Sequence, residues 1–208
     1  MTLVIIAYLT PLVLGIGIPF IMNTTQTSLR KQVSISLLLW AVLSAVLIGT
    51  KLITHSAIPI SYLKLCGMVV FILSFGIFIG AGFYLLKKWL SGSLAQLIMG
   101  LLLGLMAGSV FYANPIIELV KDNLVLRQLV IKWAIIVNPI LIMAGNFFGQ
   151  DILRGRQLYS LCDIGPFYAY NYPSWMSISL GYLIVSLVLI GLRWMLVRNK
   201  LAVCKVTE

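Results

Sequence analysis

Long apolar runs separated by short polar steps make up most of the chain, and six of them approach or exceed the roughly 20 residues a helix needs to cross a bilayer. They cover about Leu3–Met22, Val33–Thr50, Leu65–Leu86, Leu94–Ala113, Leu129–Phe148 and Ser177–Leu196. Alternation with period two does not persist across them, and they exceed the 9–11 residues of a typical barrel strand. Helices are then the structure that satisfies every backbone group in lipid. The pattern predicts an all-α, polytopic transmembrane helix bundle of about six spans. It forms a single integral membrane domain over residues 1–208, with one outward-facing, aromatic-rich interfacial loop at residues 149–176. The first run begins without Lys or Arg and so lacks the basic start of a cleavable signal peptide, so it is expected to stay attached. Lys87-Lys88-Trp89 and Ser91-Gly92-Ser93 supply a turn between the third and fourth runs.

Composition strengthens this reading. Hydrophobic residues make up 61% of the chain and charged ones 10%, against about 45–50% and 25% in soluble domains. The net charge of +10 comes from Lys and Arg scattered in ones and twos, without the basic stripe that would point to nucleic acid. The positives read instead as topology determinants. For six spans, one side carries Lys51, Lys64, Lys121, Arg127, Lys132, Arg193, Arg198, Lys200 and Lys205; the other carries Arg30, Lys31, Lys87, Lys88, Arg154 and Arg156. Nine against six, with a basic tail, places both termini in the cytoplasm, across a cytoplasmic (inner) membrane.

Little supports an enzyme. His55 is the only histidine, so a bis-histidine haem is excluded within one chain. Cys66, Cys162 and Cys204 lack metal-ligand spacing and read as free thiols. No Walker A or dinucleotide-binding pattern occurs, so nucleotide energy would have to come from another polypeptide. No cofactor or metal is expected.

Three features have individual character. Gly76 and Gly80 in the third run, and Gly100, Gly104 and Gly108 in the fourth, recur every four residues. That spacing puts them on one helix face where a neighbouring backbone can come close, either within this bundle or from another subunit. Asn138-Pro139 lies inside the fifth run, where proline removes a backbone donor and is expected to kink or interrupt the helix. Broken helices line binding sites in some transporters. Finally, the 149–176 segment holds Asp151, Arg154, Arg156 and Tyr159 followed by Phe167-Tyr168-Ala169-Tyr170-Asn171-Tyr172-Pro173-Ser174-Trp175. Its aromatics suit an interfacial belt, and its charged residues suit contacts to a partner or substrate, as does Asn138.

Across residues 138–175 the chain resembles small membrane proteins of ABC-2-type export systems, through Asn138-Pro139, Asp151, Arg154, Leu158-Tyr159 and Tyr172-Pro173-Ser174-Trp175. The resemblance implies about six spans and a separate ATPase. The chain departs from the usual permease in having almost no helix ahead of its first span. The expected role is therefore a membrane component of a multi-subunit exporter-type transport system, without its own ATPase, whose partners are the lipid bilayer and other membrane subunits. The alternative is a membrane-anchor or quinone-side subunit of an electron-transfer complex.

Overall fold

The computed structural model of the chain describes residues 2–24, 29–54, 61–155, 164 and 168–206. Helix dominates these residues, and no strand occurs among them. Eight α-helices follow in order: α1 (Thr2–Thr24), α2 (Leu29–Thr54), α3 (Tyr62–Leu86), α4 (Gly92–Ala107), α5 (Ser109–Leu119), α6 (Leu124–Val137), α7 (Pro139–Met143) and α8 (Trp175–Val206). A π-helical turn, Ala144–Phe148, continues α7, and a 3-10 turn covers Ile152–Arg154.

Local sequence sets several of these boundaries. Ser61, Ser91 and Asn123 cap α3, α4 and α6, each side chain accepting the backbone N–H three residues ahead. Such caps satisfy donors that a helix leaves open at its first turn. Within lipid the apolar side chains gain little by leaving one apolar medium for another, so close packing must hold the helices together.

That packing is tight along α1, α3 and α8. Leu14 and Ile18 of α1 lie over Gly76, and Ile18 and Met22 lie over Gly80. The α3–α8 contact is aromatic: Tyr182 packs on Phe71, Phe75 and Phe78 with ring centroids 5.3–6.0 Å apart. Further along, Gly67 faces the Trp175 indole, and Arg193 lies over the Tyr84 ring. Residue numbers rise together in both contacts, so α1, α3 and α8 run in one direction. The start of α1 and the end of α8 therefore lie at opposite ends of the bundle. Against α1 and α3 the order reverses for α4, since Gly15 meets Leu103, Gly82 meets Met99 and Gly92 meets Asn23. Phe71, Phe75, Phe83, Phe147, Leu14, Met68 and Met99 fill the shared core.

Tyr62–Leu86 and Trp175–Leu196 are long and apolar enough to cross a membrane. Two further stretches qualify only as bent pairs, so the described residues hold two to four such spans where six were expected. The fourth run breaks at Gly108, where α4 and α5 meet at 63°. The fifth breaks at Asn138, where α6 meets α7 and its π-helical continuation at 80°. Between the breaks, α5 and α6 form a hairpin with Lys121 and Asp122 near its tip. Pro115 sits within α5 without ending it.

Candidate functional site

The two breaks are joined to each other. Proline disfavours a helical conformation in the residue before it, and Asn138 is accordingly extended, with φ −86° and ψ 105°. Its buried side chain then does the work of the missing helical turn. Asn138 Oδ1 accepts from the backbone N–H groups of Ile140 (3.0 Å) and Leu141 (3.2 Å). Its Nδ2 donates to the Ala107 carbonyl at 2.7 Å and to Ser109 Oγ at 3.4 Å. Ser109 Oγ in turn donates to the Ala134 carbonyl at 2.6 Å. In a lipid-surrounded bundle these broken-helix groups have no water to turn to, so one asparagine and one serine stand in for it.

Past α7 the chain widens into the π-helical turn and stops at Gly149, whose φ of +63° is a left-handed conformation that glycine adopts without a Cβ clash. Such single π turns are frequent at functional sites. Here the turn carries a strap. The Tyr172 ring lies directly on Gly145, in the space a side chain would fill. Asn146 Nδ2 donates to the Pro173 carbonyl at 2.9 Å, and its Oδ1 accepts the Trp175 N–H at 3.1 Å. Residues 145 and 146 thus fix the segment that leads into α8.

At the end of this strap is a polar cluster. Asp151 Oδ1 accepts hydrogen bonds from the phenols of Tyr170 and Tyr172, the latter at 2.9 Å, and from the Arg154 N–H at 3.4 Å. Its Oδ2 pairs with Arg154 Nε at 3.7 Å. The Arg154 guanidinium also lies over the Tyr170 ring, 5.5 Å from its centroid. Burial first, then the hydrogen bond to Asp151 and its charge, push both phenols above the usual tyrosine range. Both therefore stay protonated donors throughout the physiological range. Nearby, Arg127 of α6 lies over the Tyr168 ring, 5.1 Å from its centroid. Tyr168, Tyr170 and Tyr172 recur at every second residue along a segment without regular secondary structure, and Tyr170 and Tyr172 converge on Asp151.

No family model, curated protein or solved structure matches the chain.

The sequence-derived candidates divide as follows. Asp151 and Arg154 come together in the cluster, while Arg156 and Tyr159 lie outside the described residues, as do His55 and Cys162. Asn138 occupies the double break instead, only 2% exposed. Gly76 and Gly80 face α1. Gly100 and Gly104 are exposed, and among the described residues no atom lies within 4 Å of the position a Cβ would take. Gly108 ends α4, and a Cβ there would sit 3.0 Å from its own Tyr112 ring. Sequence reasoning missed the roles of Gly145, Asn146, Tyr170 and Tyr172. The period-two spacing of the three tyrosines was the signal available for two of them. Among the described residues no group of three or more His, Cys, Asp or Glu could hold a metal ion.

Proposed function

We propose that this protein is a membrane-embedded subunit of a multi-subunit transport system of the exporter type, energised by a separate ATPase. The observation that carries this reading is the pair of facing helix breaks at Gly108 and Asn138, stitched by the Asn138–Ala107 hydrogen bond. Interrupted helices whose freed backbone is satisfied by neighbouring protein are the construction transporters use around a translocated solute.

The topology belongs to the same reading. In this reading α1, α2, α3, α8 and the α4 arm of the first bent pair cross the bilayer, and residues 109–148 fold back without crossing. Support comes from both ends of that segment. Arg127, near the hairpin tip, touches Tyr168, while Asp151, just beyond the π-helical turn, holds Tyr170. Tyr168 and Tyr170 are two residues apart, at most about 7 Å along the chain, against a hydrocarbon core of about 30 Å. Five crossings put the termini on opposite sides of an inner membrane. The basic tail keeps the C-terminal end in the cytoplasm, and the Asp151 cluster faces outward with the N-terminus. The Lys/Arg count becomes nearly even. Arg30, Lys31, Lys87, Lys88, Arg193, Arg198, Lys200 and Lys205 share the C-terminal end, while Lys51, Lys64, Lys121, Arg127, Lys132, Arg154 and Arg156 share the other.

Purification of the native complex in mild detergent tests the functional reading. An associated nucleotide-hydrolysing subunit is expected. A haem or iron–sulfur partner in its place would contradict transport and favour the electron-transfer alternative.

A further inference from the structure

At the end of the bundle away from the Asp151 cluster, an apolar groove opens between α1, α2, α3 and α8. It encloses about 260 Å³ and is lined by Ile18, Trp40, Gly76, Gly80, Tyr84 and Ile190 among others. The α3 residues that line it run from Leu73 to Tyr84, about 16 Å at 1.5 Å per residue. That is about half of a 30 Å hydrocarbon core, the depth of one leaflet.

The mouth of the groove is basic and short of partners. The Arg193 guanidinium lies 3.3 Å from the centroid of the Tyr84 ring, which itself lines the groove, and one turn from Ile190. Its Nε and Nη1 are shielded from solvent and have no hydrogen-bond partner. Buried donors left unsatisfied are costly, and a guanidinium especially so. Lys87 Nζ stands at the same rim, donating to the carbonyl of Met22 at 2.8 Å, and Met22 also lines the groove. No carboxylate of the described residues stands at this end: Glu118 and Asp122 lie at the α5–α6 hairpin tip, and Asp151 lies in the strap cluster. Among the described residues, then, a negative charge at this rim would come with the occupant.

We propose that this groove binds an anionic phospholipid of the C-terminal-side leaflet, with one acyl chain along Trp40 and its phosphate beside Arg193, whose unpartnered Nε and Nη1 the lipid would reach by displacing the side chains that shield them. Planar guanidinium suits a phosphate because two parallel N–H groups meet two oxygens. Stacking on Tyr84 holds that plane in place before the lipid arrives. The two glycines let Ile18 and Met22 of α1 come close to α3, which builds one wall of the groove. The site is independent of the transport reading, since it needs only a bilayer.

Native mass spectrometry of the purified full chain, with phosphatidylglycerol or phosphatidylcholine added at equal concentration, tests the site. Retention of phosphatidylglycerol is expected to exceed that of phosphatidylcholine about fivefold, the ratio for one basic residue facing an anionic lipid. Arg193→Gln should abolish the preference for phosphatidylglycerol, lowering its retention more than that of phosphatidylcholine, whose choline cation offsets the charge of the same phosphate. Leu37 also lines the groove and is 48% exposed, so Leu37→Trp should fill it without disturbing the core and reduce retention of both lipids. Equal retention of the two lipids by the wild type would overturn the assignment. So would an unchanged preference in Arg193→Gln, unchanged retention in Leu37→Trp, or displacement of the bound lipid by inorganic phosphate alone.

Discussion

Residues Tyr62–Leu86 and Leu124–Phe148 are stretches of equal length and similar apolar character, yet one is a single unbroken helix and the other is folded through 80°. The first carries Gly67, Gly76, Gly80 and Gly82 without a break, and each glycine receives a neighbour: Trp175, Ile18 or Met99. The second contains one Asn-Pro step and breaks there. Apolar content decides that a segment enters lipid. Its path is decided by whether each backbone donor and acceptor finds a partner, and Asn138 makes the break tolerable by supplying four contacts at once. A glycine subtracts a side chain and leaves the helical hydrogen bond intact, whereas proline removes the bond itself.

Removing Asn138 should have the largest effect on this contrast. Asn138→Leu leaves the Ile140 and Leu141 N–H groups and the Ala107 carbonyl unsatisfied in a buried site. We expect a loss of about 3 kcal/mol, combining a lost cap with at least one orphaned group, read as a lower unfolding temperature in detergent. A variant as stable as the wild type would mean that the break is held by the proline alone. Gly145 gives the next effect. Gly145→Ala places a methyl group in the Tyr172 ring and should cost about 1–3 kcal/mol by overpacking, with the strap rather than α3 losing hydrogen-exchange protection.

Asp151→Asn comes third. The cluster is partly exposed and the Asp151–Arg154 pair spans 3.7 Å with Arg154 61% exposed, so its ion pair contributes only about 0–1 kcal/mol. Stability should change little, whereas under the proposed transport role activity of the native complex should fall. The smallest effect is expected at Gly104. Its open surroundings mean that Gly104→Leu should change the stability of the isolated chain by no more than about 0.5 kcal/mol. A larger loss appearing only in the assembled complex would place another subunit on that face.

How much of this was readable from residues alone follows the same division. The apolar helices were legible because lipid imposes their length and composition. The Asn138-Pro139 step was legible as a proline inside an apolar run, although Pro115 within α5 shows that the same step need not end a helix. The break at Gly108 was not, since glycine is common in membrane helices and the local sequence around Gly108 does not differ in kind from that around Gly104. That residues 109–148 begin and end at the same end of the bundle was hidden for a further reason. A count of alternating sides takes every apolar run as a crossing, and contacts such as Arg127 on Tyr168 exist only in the tertiary structure. Asp151 and Arg154 announced themselves by charge. Their tyrosine partners, about 20 residues away, are joined to them only through the strap that Gly145 and Asn146 hold in place.

Side-specific labelling of three single-cysteine variants in the otherwise cysteine-free chain tests most directly whether residues 109–148 cross. Ser91→Cys lies in the α3–α4 turn, Asp122→Cys at the hairpin tip and Ala169→Cys in the strap; all three positions are exposed. With a membrane-impermeant maleimide on sealed membranes, Asp122→Cys and Ala169→Cys should react from one side and Ser91→Cys only from the other. Reaction of Ala169→Cys together with Ser91→Cys, opposite to Asp122→Cys, would show that Leu124–Phe148 crosses the bilayer after all and return the termini to a common side.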